Sequence, residues 1–286
     1  PFIYAVGDAV ESTHAVTGAP ALIALAGPAN KQGRIAADNI CGIDRRFTGS
    51  QGSSVLKLFD RTIAATGLTA KAAATAGIDA DSVVLSPANH ATYYPGSESL
   101  VLKVLFERAG ARIIGAQAIG GAGVDKRIDV LATAIRAGMD ANDLAELDLA
   151  YAPPYSSAKD PVNMAGFMIQ NIIEGRVRHL DWERALADTE SLLLDTRTTG
   201  EYQRGTVQES THIPLDELRE RLDEIPRDRR INVFCQSGLR SYIACRILAQ
   251  HGFDVANVDG GYGFYEQTML DRRVQTREVG DCGVPA

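Results

Sequence analysis

One cysteine lies where the sequence could support thiol chemistry. Cys235 directly follows the apolar run 231–234, and the loop Cys235-Gln236-Ser237-Gly238-Leu239-Arg240-Ser241 leads into a run with helical spacing. Backbone N–H groups of a tight turn and the positive end of a helix dipole favour an anion at such a position, and Arg240 adds a full positive charge. We therefore expect Cys235 to favour the thiolate and to be nucleophilic near neutral pH.

Two other interpretations are open for an isolated cysteine in this chain: a structural residue and a phosphatase-type nucleophile. A cysteine at a strand end is often a buried structural residue, and we adopt that interpretation for Cys41, Cys245 and Cys282, which lack a Gly/Ser/Arg surround. A phosphatase-type loop needs a longer spacing between cysteine and arginine than the four residues that separate Cys235 from Arg240. The shorter loop suits one sulfane sulfur, held on Cys235 as a persulfide.

Four short motifs in the last third of the chain point to one enzyme family. They are Leu194-Asp195-Thr196-Arg197, His212-Ile213-Pro214-Leu215, the C-x-x-G-x-R-S loop at Cys235, and Val258-Asp259-Gly260-Gly261. This set resembles the rhodanese family of sulfurtransferases. The resemblance implies sulfur transfer at Cys235, with Arg240 and Ser241 as the other catalytic candidates.

Three positions qualify this resemblance. Tyr262 stands where the family usually has Trp, which we interpret as a tolerated aromatic exchange. Asp195 and Arg197 are charged, but we interpret them as a structural ion pair and not as catalytic groups.

A second motif lies near the N-terminus. The apolar run 3–6 predicts a buried strand leading into Gly7 and Asp8, and the following apolar spacing predicts a helix that begins near Pro20-Ala21-Leu22 and stops at Gly42. Tyr4-Ala5-Val6-Gly7-Asp8-Ala9 resembles the second flavin-contacting motif of the pyridine nucleotide-disulfide oxidoreductases.

That resemblance implies four FAD contacts. Asp8 would accept a hydrogen bond from a ribityl hydroxyl, Gly7 would let the backbone approach the cofactor closely, and Ala21 and Leu22 at the helix start would face the flavin. On the residues alone, without the resemblance, Asp8 is explained equally well as an ordinary turn residue after a strand.

Further stretches narrow the resemblance to one branch of that superfamily. They are Gly27-Pro28-Ala29-Asn30-Lys31-Gln32-Gly33-Arg34-Ile35-Ala36-Ala37, Ile114-Gly115-Ala116-Gln117-Ala118-Ile119-Gly120-Gly121 and Lys126-Arg127-Ile128-Asp129. They resemble the CoA-disulfide and NADH-dependent persulfide reductases, in which a dimerisation domain follows the flavin motif. The resemblance implies a homodimer that uses FAD, NAD(P)H and CoA or other low-molecular-weight thiols, persulfides or polysulfides.

Two tyrosines match positions from which this branch projects phenol groups into the partner's active site. They are Tyr93 and Tyr151, each in an apolar, proline-containing stretch, and Tyr94 competes with Tyr93 for the first position. Their hydroxyls could donate a hydrogen bond to a thiolate. By spacing alone, aromatic packing under a proline-rich loop accounts for them equally well.

The strand and helix patterns predict a chain of mixed α/β and α+β class with three parts. Residues 1–46 form a partial FAD-binding segment, residues 47–178 an α+β dimerisation domain, and residues 179–286 an α/β rhodanese domain with a parallel sheet. Strands are predicted at 55–59, 62–66, 82–86, 100–106, 112–119, 191–194, 231–234 and 255–258. Helices are predicted at 125–136, 161–174, 215–223 and 240–251.

Composition limits the remaining function classes. The 286 residues carry a formal charge of -7 and a pI near 5.3, which gives no basic field for nucleic acid. No run of about 18 apolar residues predicts a membrane span. The four cysteines and five histidines show no metal-like spacing, so we expect a reduced, cytoplasmic chain without a bound metal.

The sequence therefore predicts an FAD-dependent NAD(P)H:CoA-disulfide or persulfide reductase joined to a rhodanese sulfurtransferase, with the choice of NADH or NADPH open. No G-x-G-x-x-G motif is present, so we expect a chain that lacks the nucleotide-binding half and does not retain FAD. The alternative is a non-catalytic dimerisation scaffold with a sulfur-relay or docking module.

Overall fold

The computed structural model describes residues 3–275, so Cys282 lies outside the described residues. The chain divides into two compact units, Pro1–Val83 with Ala88–Ile169 and Val84–Pro87 with Gln170–Ala286. Within residues 3–275, no helix is both long enough and apolar enough to cross a membrane.

The first unit begins with a small antiparallel ladder and a helix. Strand β1 (Ser12–Thr13) pairs with β2 (Pro20–Ala21), and α1 spans Ala26–Ile40. The predicted helix start near Pro20-Ala21-Leu22 is therefore wrong, because Pro20 and Ala21 lie in the ladder and Leu22 is exposed. The helix instead starts where Pro28 falls in its first turn, a position at which no backbone N–H is needed. It ends close to the predicted stop at Gly42, whose φ is +84°.

The predicted buried strand at residues 3–6 is also wrong. These residues have extended backbone but belong to no strand, and Ile3 is 87% exposed. An apolar run becomes a buried strand only when other strands pair with it and a layer covers it. Among the described residues nothing pairs with this run, so its pattern has no sheet to join.

The centre of the first unit is a five-stranded sheet in the order β3-β4-β7-β6-β5. The β3–β4, β4–β7 and β7–β6 pairs are antiparallel, as predicted. The strands are β3 (Ser54–Leu58), β4 (Arg61–Gly67), β5 (Ala80–Leu85), β6 (Val101–Glu107) and β7 (Ile113–Gly120). The helices are α2 (Ala70–Thr75), α3 (Val124–Ala137), α4 (Ala141–Glu146) and α5 (Pro161–Ile173), of which α2 and α4 were not predicted.

Helix α3 covers the sheet at β4 and β7. Its apolar residues Val124, Ile128 and Leu131 are almost fully buried, as are Ile114 and Ala116 of β7. The helix ends at Gly138, which has a φ of +72° and takes the left-handed conformation that favours glycine. The predicted α+β architecture of this unit is confirmed.

The second unit holds a five-stranded parallel sheet in the order β10-β9-β11-β12-β8. The strands are β8 (Arg178–Leu180), β9 (Leu192–Asp195), β10 (Thr211–His212), β11 (Ile231–Phe234) and β12 (Val255–Val258). The helices are α6 (Trp182–Ala187), α7 (Thr199–Gln203), α8 (Leu239–Gln250) and α9 (Gly261–Gln275). The predicted parallel α/β class is confirmed.

The structure differs from the sequence prediction at two places in this unit. The predicted helix over residues 215–223 is two short 3₁₀ turns, Leu215–Glu217 and Leu222–Glu224. Leu215, Leu218, Leu222 and Ile225 are spaced three or four apart, and turns of three-residue period bury them as well as an α-helix would. The charged stretch before Trp182, where no strand was predicted, supplies edge strand β8.

Candidate active site

Cys235 lies at the carboxyl end of the central strand of the parallel sheet. β11 has β9 on one side and β12 on the other, and all four of its residues are buried. The chain leaves the strand at Cys235 and enters α8 at Leu239. The cysteine is thus held between a rigid strand and a helix N-terminus, as the sequence predicted. The residue is 1% exposed.

Two donors reach the Cys235 sulfur. The Gly238 N–H donates to Sγ at 3.1 Å, and the Ser241 hydroxyl lies 3.4 Å from it. The same hydroxyl lies 3.0 Å from the Gly238 carbonyl oxygen, so its one proton serves one acceptor at a time. Gly238 has a φ of +109°, a conformation that favours glycine, and this places its N–H toward the sulfur. These donors stabilise negative charge on sulfur.

The turn after β12 holds the cysteine loop from the other side. The Tyr262 N–H donates to the Cys235 carbonyl oxygen at 2.7 Å, and the Gly263 N–H donates to the Gln236 carbonyl oxygen at 3.2 Å. A Cβ at Gly261 would lie 2.6 Å from the Cys235 carbonyl oxygen, so only glycine fits this approach. The final Gly-Gly motif therefore shapes the loop by direct backbone contact.

Arg240 is held by a residue that no sequence motif indicated as its partner. Its two terminal nitrogens each donate to a carboxylate oxygen of Glu201 at 2.7 Å. Glu201 lies in α7, where it forms a capping box with Thr198. The hydrogen bonds from Arg240 lower the pKa of Glu201 to about 2. The Thr-x-x-Glu spacing signals the capping box, but nothing local signals the pairing with Arg240.

The predicted ion pair of Asp195 and Arg197 is confirmed and fully buried. Arg197 Nη2 lies 2.7 Å from Asp195 Oδ2 and also donates to the Gly205 carbonyl oxygen at 2.7 Å. The Tyr262 ring lies under the guanidinium at 3.9 Å, a cation–π contact that an aromatic residue at this position supplies. Arg197 Nη1 reaches Gln236 Oε1 at 3.4 Å, which ties this network to the cysteine loop.

The other described cysteines lie in different surroundings. Cys245 is buried within α8, and burial raises the pKa of its thiol well above the usual range. It therefore stays protonated at neutral pH. Cys41 is exposed just after α1. Within the described chain, no group of three His, Cys, Asp or Glu side chains could hold a metal ion.

In the first unit, the structure brings Tyr93 and Tyr151 together. Their hydroxyl oxygens are 3.2 Å apart, although the residues are 58 positions apart in sequence. The hydrogen bond with Tyr93 raises the pKa of Tyr151. Tyr93 is 76% exposed and Tyr151 47% exposed, so aromatic packing in a core does not account for them. Tyr94 instead packs edge-on against His90.

A cavity of about 480 Å³ adjoins this pair, lined in part by Tyr151, Lys126 and Arg127. Arg127 is 1% exposed and forms an ion pair with Asp160 at 3.0 Å. It also donates to the carbonyl oxygens of Asn89 and Gly123. This network fixes the cavity wall from within.

The residues matched to flavin contacts lie in the N-terminal part of the first unit, before α1. Gly7 has a φ of +72° and donates its N–H to Gln32 Oε1 at 2.7 Å, while Asp8 is exposed. Leu25 precedes α1 without a side-chain cap, so the first N–H groups of the helix, from Ala26, have no side-chain acceptor. The helix start that the sequence placed at Ala21 and Leu22 therefore lies at Ala26.

Family models match both units. Residues 54–161 match the dimerisation domain of the pyridine nucleotide-disulphide oxidoreductases, and residues 180–267 match the rhodanese-like domain. Among curated relatives, the coenzyme A disulfide reductases of Staphylococcus epidermidis and Staphylococcus haemolyticus are 39% and 38% identical over 171 and 173 residues. These alignments cover 59% and 60% of this chain and 39% of each relative.

Two solved structures align with nearly the whole chain. The reduced Bacillus anthracis CoADR-RHD has a TM-score of 0.90 and 45% identity, covering 95% of this chain and 49% of that one. The NAD-dependent persulfide reductase from A. fulgidus has a TM-score of 0.86 and 43% identity, covering 92% of this chain and 48% of that one. The chain thus spans about half the length of these structures.

Proposed function

The chain joins a dimerisation domain of the pyridine nucleotide-disulfide oxidoreductases to a rhodanese-like domain, and from this premise we propose a sulfur-handling reductase. The proposed activity is FAD-dependent, NAD(P)H-driven reduction of CoA-disulfide or persulfide, with the rhodanese domain carrying sulfane sulfur on Cys235. The donor arrangement at the Cys235 sulfur is the observation that carries the proposal for this chain.

The sulfur-transfer step uses groups that this chain holds. The Cys235 thiolate attacks the outer sulfur of a persulfide R–S–SH, a new S–S bond forms, and R–S⁻ leaves with the electron pair of the broken bond. The product is Cys235–S–SH. The Gly238 N–H and the Ser241 hydroxyl stabilise the anionic sulfur before and after transfer. A thiol acceptor then takes the outer sulfur and regenerates the cysteine.

Flavin chemistry is proposed for the intact protein, where FAD would supply the reduction of the S–S bond. Three features of the chain fit FAD. Gly7 at positive φ allows close backbone approach, the exposed Asp8 carboxylate is an acceptor, and the start of α1 at Ala26, which has no side-chain cap, offers N–H donors. For Ala21 and Leu22 we propose a flanking place before that helix start.

Tyr93 and Tyr151 are proposed to act at the thiol-handling site of the homodimer. Their paired hydroxyls are exposed, and either can donate to a thiolate once the mutual hydrogen bond opens. We also propose that residues 1–46 are part of an FAD-binding domain, residues 47–178 the dimerisation domain and residues 179–286 the rhodanese domain. The proposed location is cytoplasmic. The alternative of a silent docking module is not favoured, because a silent loop needs neither the thiol nor both donors.

One assay tests the proposal on the chain as it is. The purified protein is incubated with a sulfane donor and cyanide, and thiocyanate is measured. We expect Cys235-dependent turnover, with activity lost in Cys235→Ser and retained in Cys245→Ser. Equal turnover by the wild type and Cys235→Ser would refute the assignment of the nucleophile.

A further inference from the structure

The charges at the Cys235 loop bear on which sulfur donors it accepts, and this inference rests on the proposed sulfurtransferase function. Two arginines serve the loop: Arg240 is part of it, and Arg197 contacts Gln236. Each arginine is paired with a carboxylate, Arg240 with Glu201 and Arg197 with Asp195. Both positive charges are therefore offset within hydrogen-bond distance.

Part of the anion stabilisation at the Cys235 sulfur comes from dipoles. The Gly238 N–H and the Ser241 hydroxyl point at the sulfur, and the N-terminus of the twelve-residue helix α8 adds a partial charge of about +0.5. These groups suit one negative charge on sulfur. A donor with two negative charges would bring a second charge that neither arginine is free to neutralise.

Glu201 itself would oppose that second charge. Its side chain is 19% exposed and that of Arg240 is 31% exposed, so the pair lies at the boundary between protein and solvent. Arg240 also interacts electrostatically with Cys235, which places the pair within range of the reacting sulfur. An incoming anion therefore meets a neutral ion pair where the sequence alone suggested a free cation.

We infer that Glu201 is a specificity-determining residue: by neutralising Arg240, it makes the Cys235 site select sulfane donors whose reacting sulfur group carries at most one negative charge, such as persulfides, over dianionic thiosulfate. The two transfers have the same form. With thiosulfate, the Cys235 thiolate takes the outer sulfur and sulfite leaves as SO₃²⁻. With a thiosulfonate R–SO₂–S⁻, it takes the outer sulfur and the sulfinate R–SO₂⁻ leaves.

A matched pair of donors tests the inference. Thiosulfate and methanethiosulfonate share the transferable sulfur and differ by one charge, since a methyl group replaces one oxygen. Thiocyanate formation from cyanide gives kcat/KM for each donor. We expect the wild type to prefer methanethiosulfonate, and Glu201→Gln to raise the thiosulfate-to-methanethiosulfonate ratio about fivefold.

The controls separate charge at the loop from general effects. Glu224→Gln removes the same charge from another Glu–Arg ion pair, with Arg221 on the surface of the same unit, and should leave the ratio unchanged. Glu201→Asp keeps the charge and should keep the ratio. Arg240→Gln removes the opposite charge and should lower the ratio. Because each ratio is taken within one preparation, a partly unfolded variant still reports it.

The outcomes are distinct. An unchanged ratio in Glu201→Gln, an equal rise in Glu224→Gln, or a wild-type preference for thiosulfate would overturn the role of Glu201 while leaving sulfur transfer intact. Absence of thiocyanate from both donors with the wild type would instead overturn the proposed function.

Discussion

At the residue scale, the Cys235 sulfur is surrounded by groups that differ in origin. The Gly238 N–H and the Ser241 hydroxyl come from the same loop, so the loop sequence alone encodes them. The carboxylate that holds Arg240 comes from Glu201, 39 positions earlier. Local sequence therefore specifies the donors to sulfur, whereas the net charge beside it depends on a distant residue.

The Ser241 hydroxyl should contribute to turnover. Ser241→Ala removes one of the two donors to Sγ, and we expect kcat for thiocyanate formation to fall about tenfold. This is less than the loss of a strong oxyanion donor, because the contact is long at 3.4 Å. Ser237→Ala, an exposed serine of the same loop, should change little. Equal losses in both variants would contradict a specific role for Ser241.

The Glu201–Arg240 pair should make stability depend on pH. The pKa of Glu201, about 2, lies below the usual value for a glutamate. The Glu201 carboxylate therefore stabilises the fold above about pH 4.5, and this contribution is lost as the pH falls toward 2. Glu201→Gln should cost about 1 kcal/mol at pH 7, a value reduced by solvent screening.

Urea unfolding at pH 7 and at pH 3 measures this effect. The difference in unfolding free energy between the wild type and Glu201→Gln should shrink at the lower pH. A difference that stays constant between the two pH values would show that the carboxylate charge is not its source.

At the scale of elements, three backbone segments converge on the Cys235 loop. β11 delivers Cys235, the start of α8 supplies donors, and the turn after β12 fixes the loop through the Tyr262 N–H. The first unit differs, because the flavin contacts that we propose there come only from Gly7, Asp8 and the start of α1. The sequence contains no G-x-G-x-x-G loop to bind a pyrophosphate.

The chain should therefore not retain flavin. Contacts from Gly7, Asp8 and the first turn of α1 reach only part of a cofactor of this size, so little of its surface would be buried. The purified protein should be colourless, with no flavin absorbance near 450 nm, and added FAD should be lost on gel filtration. A stoichiometric yellow preparation would show that the N-terminal part of the first unit binds FAD on its own.

At the scale of the whole molecule, the first unit exposes apolar side chains on an edge strand. All five residues of β3 are exposed, and Phe59 beyond it is 90% exposed. Exposed strand edges and apolar patches are rarely left uncovered in monomers, because they favour pairing with another chain. The match to a dimerisation domain over residues 54–161 agrees with a second copy as the partner.

The chain should self-associate as a two-fold dimer. A standard interface of about 1,600 Å² should hold two copies together at micromolar concentration. Light scattering should give twice the chain mass of 30.6 kDa. Phe59→Asp would place a charge beside β3 and should weaken the dimer, whereas Leu239→Asp in the second unit should not. A wild-type monomer at micromolar concentration would contradict the dimer proposal.

The class of both units and the position of Cys235 between a strand and a helix could be predicted from the sequence. Apolar residues that alternate, or that recur at helical spacing, mark the buried face of a strand or helix. The bounds of β6, β7, α3 and α8 were therefore predicted to within about two residues. The Cys-x-x-Gly-x-Arg-Ser spacing identified the loop because its geometry is local. The run at residues 3–6 misled the prediction, since the same alternation describes a strand whether or not a partner strand is present.

Contacts between residues that are distant in sequence could be seen only in the folded chain. The fold brings Tyr93, and not Tyr94, to Tyr151, because the course of the backbone between residues 93 and 151 sets which hydroxyl faces Tyr151. It also paired Arg240 with Glu201 and so removed the free charge that the loop sequence suggested. The two residues in such a contact are far apart in sequence, and no local pattern links one to the other. The distance between their side chains depends on how the helices and strands pack.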